Sequence, residues 1–253
     1  MNEFGVDISR YNGPMDFDIL KANGVQWVAS RHTIGTTYED AWSDYNQREV
    51  RAAGLPWLAY HVLWPANRSP EAEAEWYLER LGGDLPDAIV LDNELGTANH
   101  SAGHHLVSGA DIIGQAYRWM NRISILTGMT PIQYTGTWFL DNPKFNGVEP
   151  SGVAFPLWLA WYVTPPTLEN ALLKWDTPKL PRGYTSKEIW QFTSSGDNWN
   201  AGQSGFITRI DYNIARDLSS LLTVPSEPDP SPDPLGERVM RIEEWIQSYG
   251  TPS

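Results

Sequence analysis

The feature that most constrains the fold is a unit repeated through the first half of the chain, a short apolar run that ends in a polar residue and passes into a helical pattern. Phe4 to Asp7 reads as a first strand, and Phe17 to Asn23 as a short helix stopped by Gly24. Val25 to Ser30 reads as a second strand, Trp42 to Ala53 as a helix stopped by Gly54, and Leu55 to Leu63 as a third strand. Ser69-Pro70-Glu71 opens the next helix with an N-cap, a proline at the first position and acids in the first turn, and the helix runs to about Leu81. Ala88 to Asp92 is a fourth strand, and Gly109 to Leu126 is the longest helix, ended by Gly128. The pattern then changes. Ile132 to Thr135, Leu157 to Tyr162, Ile189 to Phe192 and Ile207 to Tyr212 read as four further strands, joined by connections rich in Pro, Gly and Asn. Eight strands, the first five in β/α alternation, predict an α/β fold, a TIM-like (β/α)5(β)3 barrel over residues 1–222. A doubly wound sheet is the alternative, but it would want helices after the fifth and sixth strands.

In such a barrel the site lies at the C-terminal ends of the strands. Those ends carry Asp7, Tyr60, Asp92, Glu94, Tyr134, Tyr162, Gln191 and Asp211. The densest chemistry is in Ala88-Ile89-Val90-Leu91-Asp92-Asn93-Glu94. An unbroken apolar run is how a strand buried on both faces reads. Alternation sends Asp92 and Glu94 off the same face, with Cα atoms roughly 6–7 Å apart. Two carboxyls held there repel, and the less solvated one takes a raised pKa, so an acid and an ionised partner can coexist near neutral pH. An isolated Asp-x-Glu can equally be a polar strand end that caps the next helix.

Composition narrows the partners. Net charge is −13, from 18 Lys+Arg against 31 Asp+Glu, which argues against nucleic acid, whose phosphates need clustered cations. No stretch approaches 18 apolar residues, so no membrane span is expected. Cysteine is absent, which excludes disulfides and thiolate metal sites. His100, His104 and His105 could suggest zinc, but Gly103 interrupts them and no acidic or thiolate partner is adjacent, so a polar loop is expected and neither metal nor cofactor is called for. The 13 Trp and 11 Tyr can be core packing, or several can line a sugar cleft. Met1 to Asp7 has neither a basic n-region nor an apolar h-region, so synthesis in the cytoplasm without a signal peptide is expected.

After the barrel, residues 223–234 form a proline-rich stretch that reads as a stiff, solvated linker. In residues 235–253, Leu235, Val239, Ile242, Ile246 and Tyr249 fall at heptad spacing. That predicts an amphipathic helix flanked by Trp245, which either pairs with copies of itself or docks on the barrel.

Several segments together resemble the family 25 glycoside hydrolases, the Chalaropsis-type lysozymes of bacteria, fungi and phage endolysins. The matching pieces stand in the family's order: Gly5-Val6-Asp7-Ile8-Ser9, Ala53-Gly54-Leu55, Ala59-Tyr60-His61, Leu91-Asp92-Asn93-Glu94, Pro131-Ile132-Gln133-Tyr134-Thr135, Pro156 to Tyr162, Trp190-Gln191-Phe192-Thr193-Ser194 and Asp211-Tyr212-Asn213. The resemblance implies a β/α barrel acting on bacterial peptidoglycan, at the β-1,4 link from N-acetylmuramic acid to N-acetylglucosamine. It implies Glu94 as general acid/base with Asp92 as its partner, Asp7 and Asp211 as two further acids, and Tyr60, Tyr134, Trp161, Tyr162 and Gln191 as substrate contacts. One departure stands out. Where the family often has Ala-Thr-Glu-Gly after the second strand, this chain has Arg31-His32-Thr33-Ile34-Gly35, with Ile34 at the acid's place.

Two carboxyls on one side of the sugar fit attack by the substrate's own 2-acetamido group, with net retention, better than direct attack by a carboxylate. A chitinase-like barrel would need an Asp where Val90 stands. A non-catalytic wall-binding or virion structural module of the same fold is the alternative from another class.

Overall fold

The computed structural model describes residues 2–67, 69–94, 109–141 and 154–222. It contains nine strands in one sheet: β1 (Glu3–Ile8), β2 (Trp27–Ile34), β3 (Tyr38–Glu39), β4 (Trp57–Val62), β5 (Ala88–Asp92), β6 (Ile132–Gly136), β7 (Leu157–Ala160), β8 (Ile189–Asp197) and β9 (Arg209–Ala215). All but the two-residue β3 form the barrel, and pairing of β1 with β2 closes it, which excludes the open doubly wound sheet. Helices α1 (Phe17–Ala22), α2 (Ser43–Ala52), α3 (Pro70–Arg80) and α4 (Gly109–Thr127) follow β1, β3, β4 and β5. A single turn, α5 (Thr137–Leu140), follows β6, and a short α6 (Leu168–Leu173) follows β7. Pro70 opens α3 as expected, although the Ser69 hydroxyl at its N-cap makes no capping bond.

Several strand bounds change: β7 stops at Ala160 rather than Tyr162, β8 runs past Phe192 to Asp197, and the last and second strands differ as well. The last strand, expected over Ile207 to Tyr212, runs over Arg209–Ala215 and is antiparallel to both β8 and β1. A hairpin from β8 needs no crossover helix, and the chain therefore enters β9 from the site side. The second strand, expected to stop at Ser30, runs on to Ile34 through a bulge. Arg31 pairs with Tyr60 and Thr33 with His61, leaving His32 as the extra residue.

The period-2 pattern sorts the strand residues into two apolar layers. Inside the barrel lie Trp27, Ala29, Leu58, Ala88, Val90, Ile132, Trp158, Ile189 and Ala215. Outside, between barrel and helices, lie Val6, Val28, Trp57, Ala59, Ile89, Leu91 and Trp190, with Tyr77 of α3 and Trp119, Met120 and Ile123 of α4. The barrel floor depends on Gly5. The indole of Trp27 crosses it so closely that a Cβ there would sit 2.1 Å from the ring, and Trp27 meets Trp158 edge-on at 5.7 Å.

Where long helices give out, aromatic rings cover the sheet. Trp190 is flanked by Trp161, Trp175 and Phe192 at 6.1–6.2 Å, and Trp199 stacks on Tyr212 at 5.5 Å. Trp27, Trp57, Trp119, Trp158 and Trp190 are all fully buried, so packing accounts for much of the tryptophan content. Among the described residues no helix is long and apolar enough to cross a membrane. The expected linker and C-terminal helix, and His100, His104 and His105, lie outside the described residues.

Candidate active site

Each barrel strand delivers one inward side chain to its upper, polar layer. The alternation that places Ala88 and Val90 inside also places Asp92 inside, directly opposite Tyr134 in the β5–β6 register, and Glu94 follows two residues on. On β1, Gly5 inside sets Asp7 inside. In the β1–β9 register Asp7 faces Asp211, and Gly5 faces Asn213. Arg31, Tyr60, Trp158 and Gln191 complete the ring. Together with Ser9, Tyr11 and Val90 these residues, Asn213 apart, line a cavity of about 160 Å³. A shallower depression of about 300 Å³ continues from it past Ser194, Ile207 and Arg209.

Gln191 organises one half of the ring. Its Oε1 accepts the hydroxyls of Tyr134 (2.9 Å) and Tyr162 (3.1 Å), which leaves its Nε2 to donate to Asp7 (2.9 Å) and Asp211 (3.1 Å). Asp7 Oδ2 also accepts from Asn213 Nδ2 at 2.8 Å, and Asn213 Oδ1 in turn accepts the Trp158 indole N–H at 3.0 Å. Asp92 is treated differently. Its Oδ1 is buried with no hydrogen-bond partner among the described residues.

These environments set the proton affinities. Burial is the main cause at all four acids, because it penalises the charged form. It raises Glu94 to about 7, with help from the charge of Asp7. It raises Asp211 to about 9, with the charge of Asp7 and a hydrogen bond given to Asp7 next in order. Asp7 is raised by burial, but the hydrogen bonds from Asn213, Gln191 and Asp211 oppose the shift. Asp92 lies well above the usual carboxylate range through burial and the charge of Glu94, while the Arg31 guanidinium pulls the other way. Near neutral pH Asp211 therefore keeps its proton and donates it to Asp7, whose other hydrogen bonds oppose its own upward shift, and Glu94 sits at its own titration point. One site thus holds a poised acid beside carboxyls of differing proton affinity, which suits general acid catalysis in a cleft.

The residues singled out in the sequence are distributed unevenly. Asp7, Tyr60, Asp92, Glu94, Tyr134, Gln191 and Asp211 all face the one cavity. Tyr162, half-exposed, reaches the ring through Gln191. Trp161 does not line the cavity. The strand ends at Ala160, and the Trp161 ring packs against the outer layer beside Trp190. Arg31 does reach the cavity, but His32 turns outward against Trp57 and Tyr77. Asn213 and Trp158 were not singled out as site residues. Both lie within quoted motifs, and their inward parity on β9 and β7 is the signal that could have found them.

Comparison with known proteins agrees with this geometry. The family model described as glycosyl hydrolases family 25 matches residues 6–200. Lysozyme M1 of Streptomyces globisporus is 26% identical over 220 residues, covering 83% of this chain and 67% of its own length. The N,O-diacetylmuramidase of Arthroderma benhamiae is 27% identical over 192 residues, covering 74% of this chain and 75% of its own. Among solved structures, a family GH25 lysozyme from Aspergillus fumigatus superposes with a TM-score of 0.68 at 21% identity, covering 88% of this chain and all of that one. With most of its barrel matched by the family model, the chain belongs to glycosyl hydrolase family 25.

Proposed function

We propose that this family 25 hydrolase cuts the β-1,4 bond from N-acetylmuramic acid to N-acetylglucosamine in bacterial peptidoglycan, with Glu94 as general acid and the substrate's own acetamido group as nucleophile. Glu94, raised to about 7, is protonated on the acidic side of neutral and can deliver a proton to the leaving oxygen. The observation that carries the second role is the unpartnered, buried Asp92 Oδ1. Burial without a donor among the described residues is part of what raises the proton affinity of this carboxyl, so a bound donor would favour its ionised form. A substrate amide N–H would supply one, and would hold the acetamido oxygen toward the anomeric carbon as the oxocarbenium ion develops. Asp7 and Asp211, sharing one proton and held by Gln191 and Asn213, keep the opposite wall from carrying two negative charges. Tyr60, Tyr134 and Tyr162 offer flat faces and hydroxyls for sugar binding.

Mass spectrometry of digested wall tests the bond, since reducing-end muramic acid identifies a muramidase. Early-time NMR of the products tests the nucleophile: retention supports assistance, and inversion makes an activated water the attacking group. The heptad positions Leu235, Val239, Ile242, Ile246 and Tyr249 support self-association of the full chain, which would bring several cleft-bearing copies to a repetitive wall and add avidity. Light scattering of the full chain against a version ending at Leu222 tests that reading, and equal monomer masses would end it.

A further inference from the structure

Beside the catalytic cavity, and sharing Tyr11 and Arg31 with it, is a second pocket of about 270 Å³. Its wall includes Arg10, Tyr11, Arg31, Ile34, Tyr38 and Trp64 and, among the described residues, contains no carboxylate. In a chain of net charge −13, flanking four acids, two guanidiniums on one wall are unexpected. Arg31 is neutralised from behind. Asp40, with no exposed side-chain surface, accepts Arg31 Nε at 2.8 Å and uses the same oxygen for the Arg10 backbone N–H at 3.0 Å. The Arg10 guanidinium has no carboxylate partner among the described residues. It lies 4.9 Å from the Tyr11 ring centre and 5.2 Å from that of Tyr38, and donates to the Tyr11 hydroxyl at 3.3 Å. Arg31 borders the same two rings at 5.5 and 5.7 Å. The aromatic planes and the buried Asp40 thus position one unmatched, exposed positive charge at the edge of the cleft.

We infer that this pocket is a subsite for a carboxylate carried by the substrate, and that Arg10 is the residue that selects for it. The inference rests on the muramidase reading for the identity of the glycan. Two carboxylates of peptidoglycan share this chemistry, that of the stem peptide and that of the lactyl group where no peptide is attached. A planar guanidinium recognises either by paired N–H donors, and both hang from the muramic acid residue next to the bond that is cut. Where this chain has Ile34 in place of an acid, the wall also lacks the charge that would repel such a group.

The test is a binding measurement, so that it does not depend on turnover. Calorimetric titration of the full chain would use a soluble disaccharide-peptide fragment of peptidoglycan, the same fragment with its carboxylates converted to primary amides, and a peptide-free disaccharide with a free lactyl carboxylate. The acid form should bind about fivefold more tightly than the amide form, a ratio that shrinks as salt is added. Arg10→Ala should bring the two within about twofold, and Arg10→Lys should restore only part of the preference, because an ammonium keeps the charge but not the paired, stacked donors. An Arg10-dependent preference for the peptide-free acid assigns the subsite to the lactyl group, and its absence there assigns it to the stem peptide. Equal affinities in the wild type, a ratio that Arg10→Ala leaves unchanged, or no binding of either form would overturn the inference. A chain that releases reducing-end muramic acid yet binds acid and amide alike keeps the muramidase reading and loses this one. Binding of the acid form without that product does the reverse.

Discussion

Two groups of buried polar side chains lie on opposite faces of the same strands. Outside the barrel, between β2, β4 and α3, His61 is held at both ring nitrogens, by Thr33 Oγ1 at 2.7 Å and by Glu73 Oε2 at 3.0 Å, with neither His61 nor Glu73 exposed. Glu73 also takes the Trp64 backbone N–H at 3.0 Å, and the His61 ring stacks on Trp119 at 5.1 Å. One residue away and facing inward, Tyr60 borders the acids, where Asp92 has an oxygen without a donor among the described residues and Glu94 is raised to about 7. The outer group has the hydroxyl, imidazole and carboxylate of a hydrolytic triad, but it is sealed under helices and its polar bonds are made. The inner group is incomplete and opens on a cleft. Satisfied burial specifies the fold, whereas unsatisfied burial beside solvent is what a substrate can complete.

That contrast predicts opposite outcomes for similar substitutions. Glu94→Gln should lower wall hydrolysis by about 10²–10⁴-fold, because the amide cannot donate the proton; activity within tenfold of wild type would remove Glu94 from the acid role. Its effect on stability should have the other sign. The folded-state pKa of about 7 exceeds the ordinary glutamate value of 4.5, so the wild type is unpenalised below 4.5 and loses stability as pH rises through 7. The variant should therefore gain on the order of 1–3 kcal/mol at pH 8–9 and nothing near pH 4, read as the difference in Tm between the two conditions.

Glu73→Ala should do the reverse and cost about 1–3 kcal/mol of stability by leaving the buried His61 ring and the Trp64 backbone N–H without their acceptor. Turnover per folded molecule should stay within a few-fold, and a loss comparable to that of Glu94→Gln would mean the outer group takes part in the chemistry. Asp92→Asn should cost less activity than Glu94→Gln, about 10–100-fold against the larger loss, because an amide can still hold the acetamido group; equal losses would give Asp92 a proton-transfer role. The activity profile should be bell-shaped and centred below pH 7, its alkaline limb set by loss of the Glu94 proton and its acid limb by protonation of the carboxylates. A rate still rising above pH 8 contradicts this. The smallest effect belongs to Tyr162→Phe, which removes one of the two hydroxyls on Gln191 Oε1 while Tyr134 keeps the other. A rise in KM of a few-fold is expected, about 0.5–1.5 kcal/mol.

Legibility in the sequence followed the same division. The Ala88–Glu94 run exposes its period and its acids together, so Asp92 and Glu94 could be placed from spacing alone. Asp7 was legible for the same reason, as an inward residue near the end of β1, whereas Gln191 is the third residue of a strand that runs on to Asp197 and was legible through its motif. Asp211 was read as a strand end, but it is the third residue of a strand that runs the other way, because a hairpin and a crossover look alike when the connection carries no helix. The bulge at His32 shifts parity by one residue, and nothing local in Arg31-His32-Thr33 announces it. Tertiary pairing with Tyr60 and His61 decides it. Trp161 stands off the cavity for a related reason: the strand ends at Ala160 rather than Tyr162, and the ring turns to the aromatic cover. The role of Gly5 is invisible without Trp27 above it.

The reversed last strand also governs attachment. Because β9 enters at the cleft and leaves at the floor, Ala215 ends beside Glu3, and the Leu218 backbone N–H bonds Glu3 Oε2 at 2.9 Å while Leu218 and Leu221 pack on the underside of the barrel. The chain therefore comes into the barrel and goes out of it on the face turned away from the sugar. A label, a surface tether or a second module joined after Leu222 would leave from behind the cleft, with the full depth of the barrel between the junction and the wall being cut.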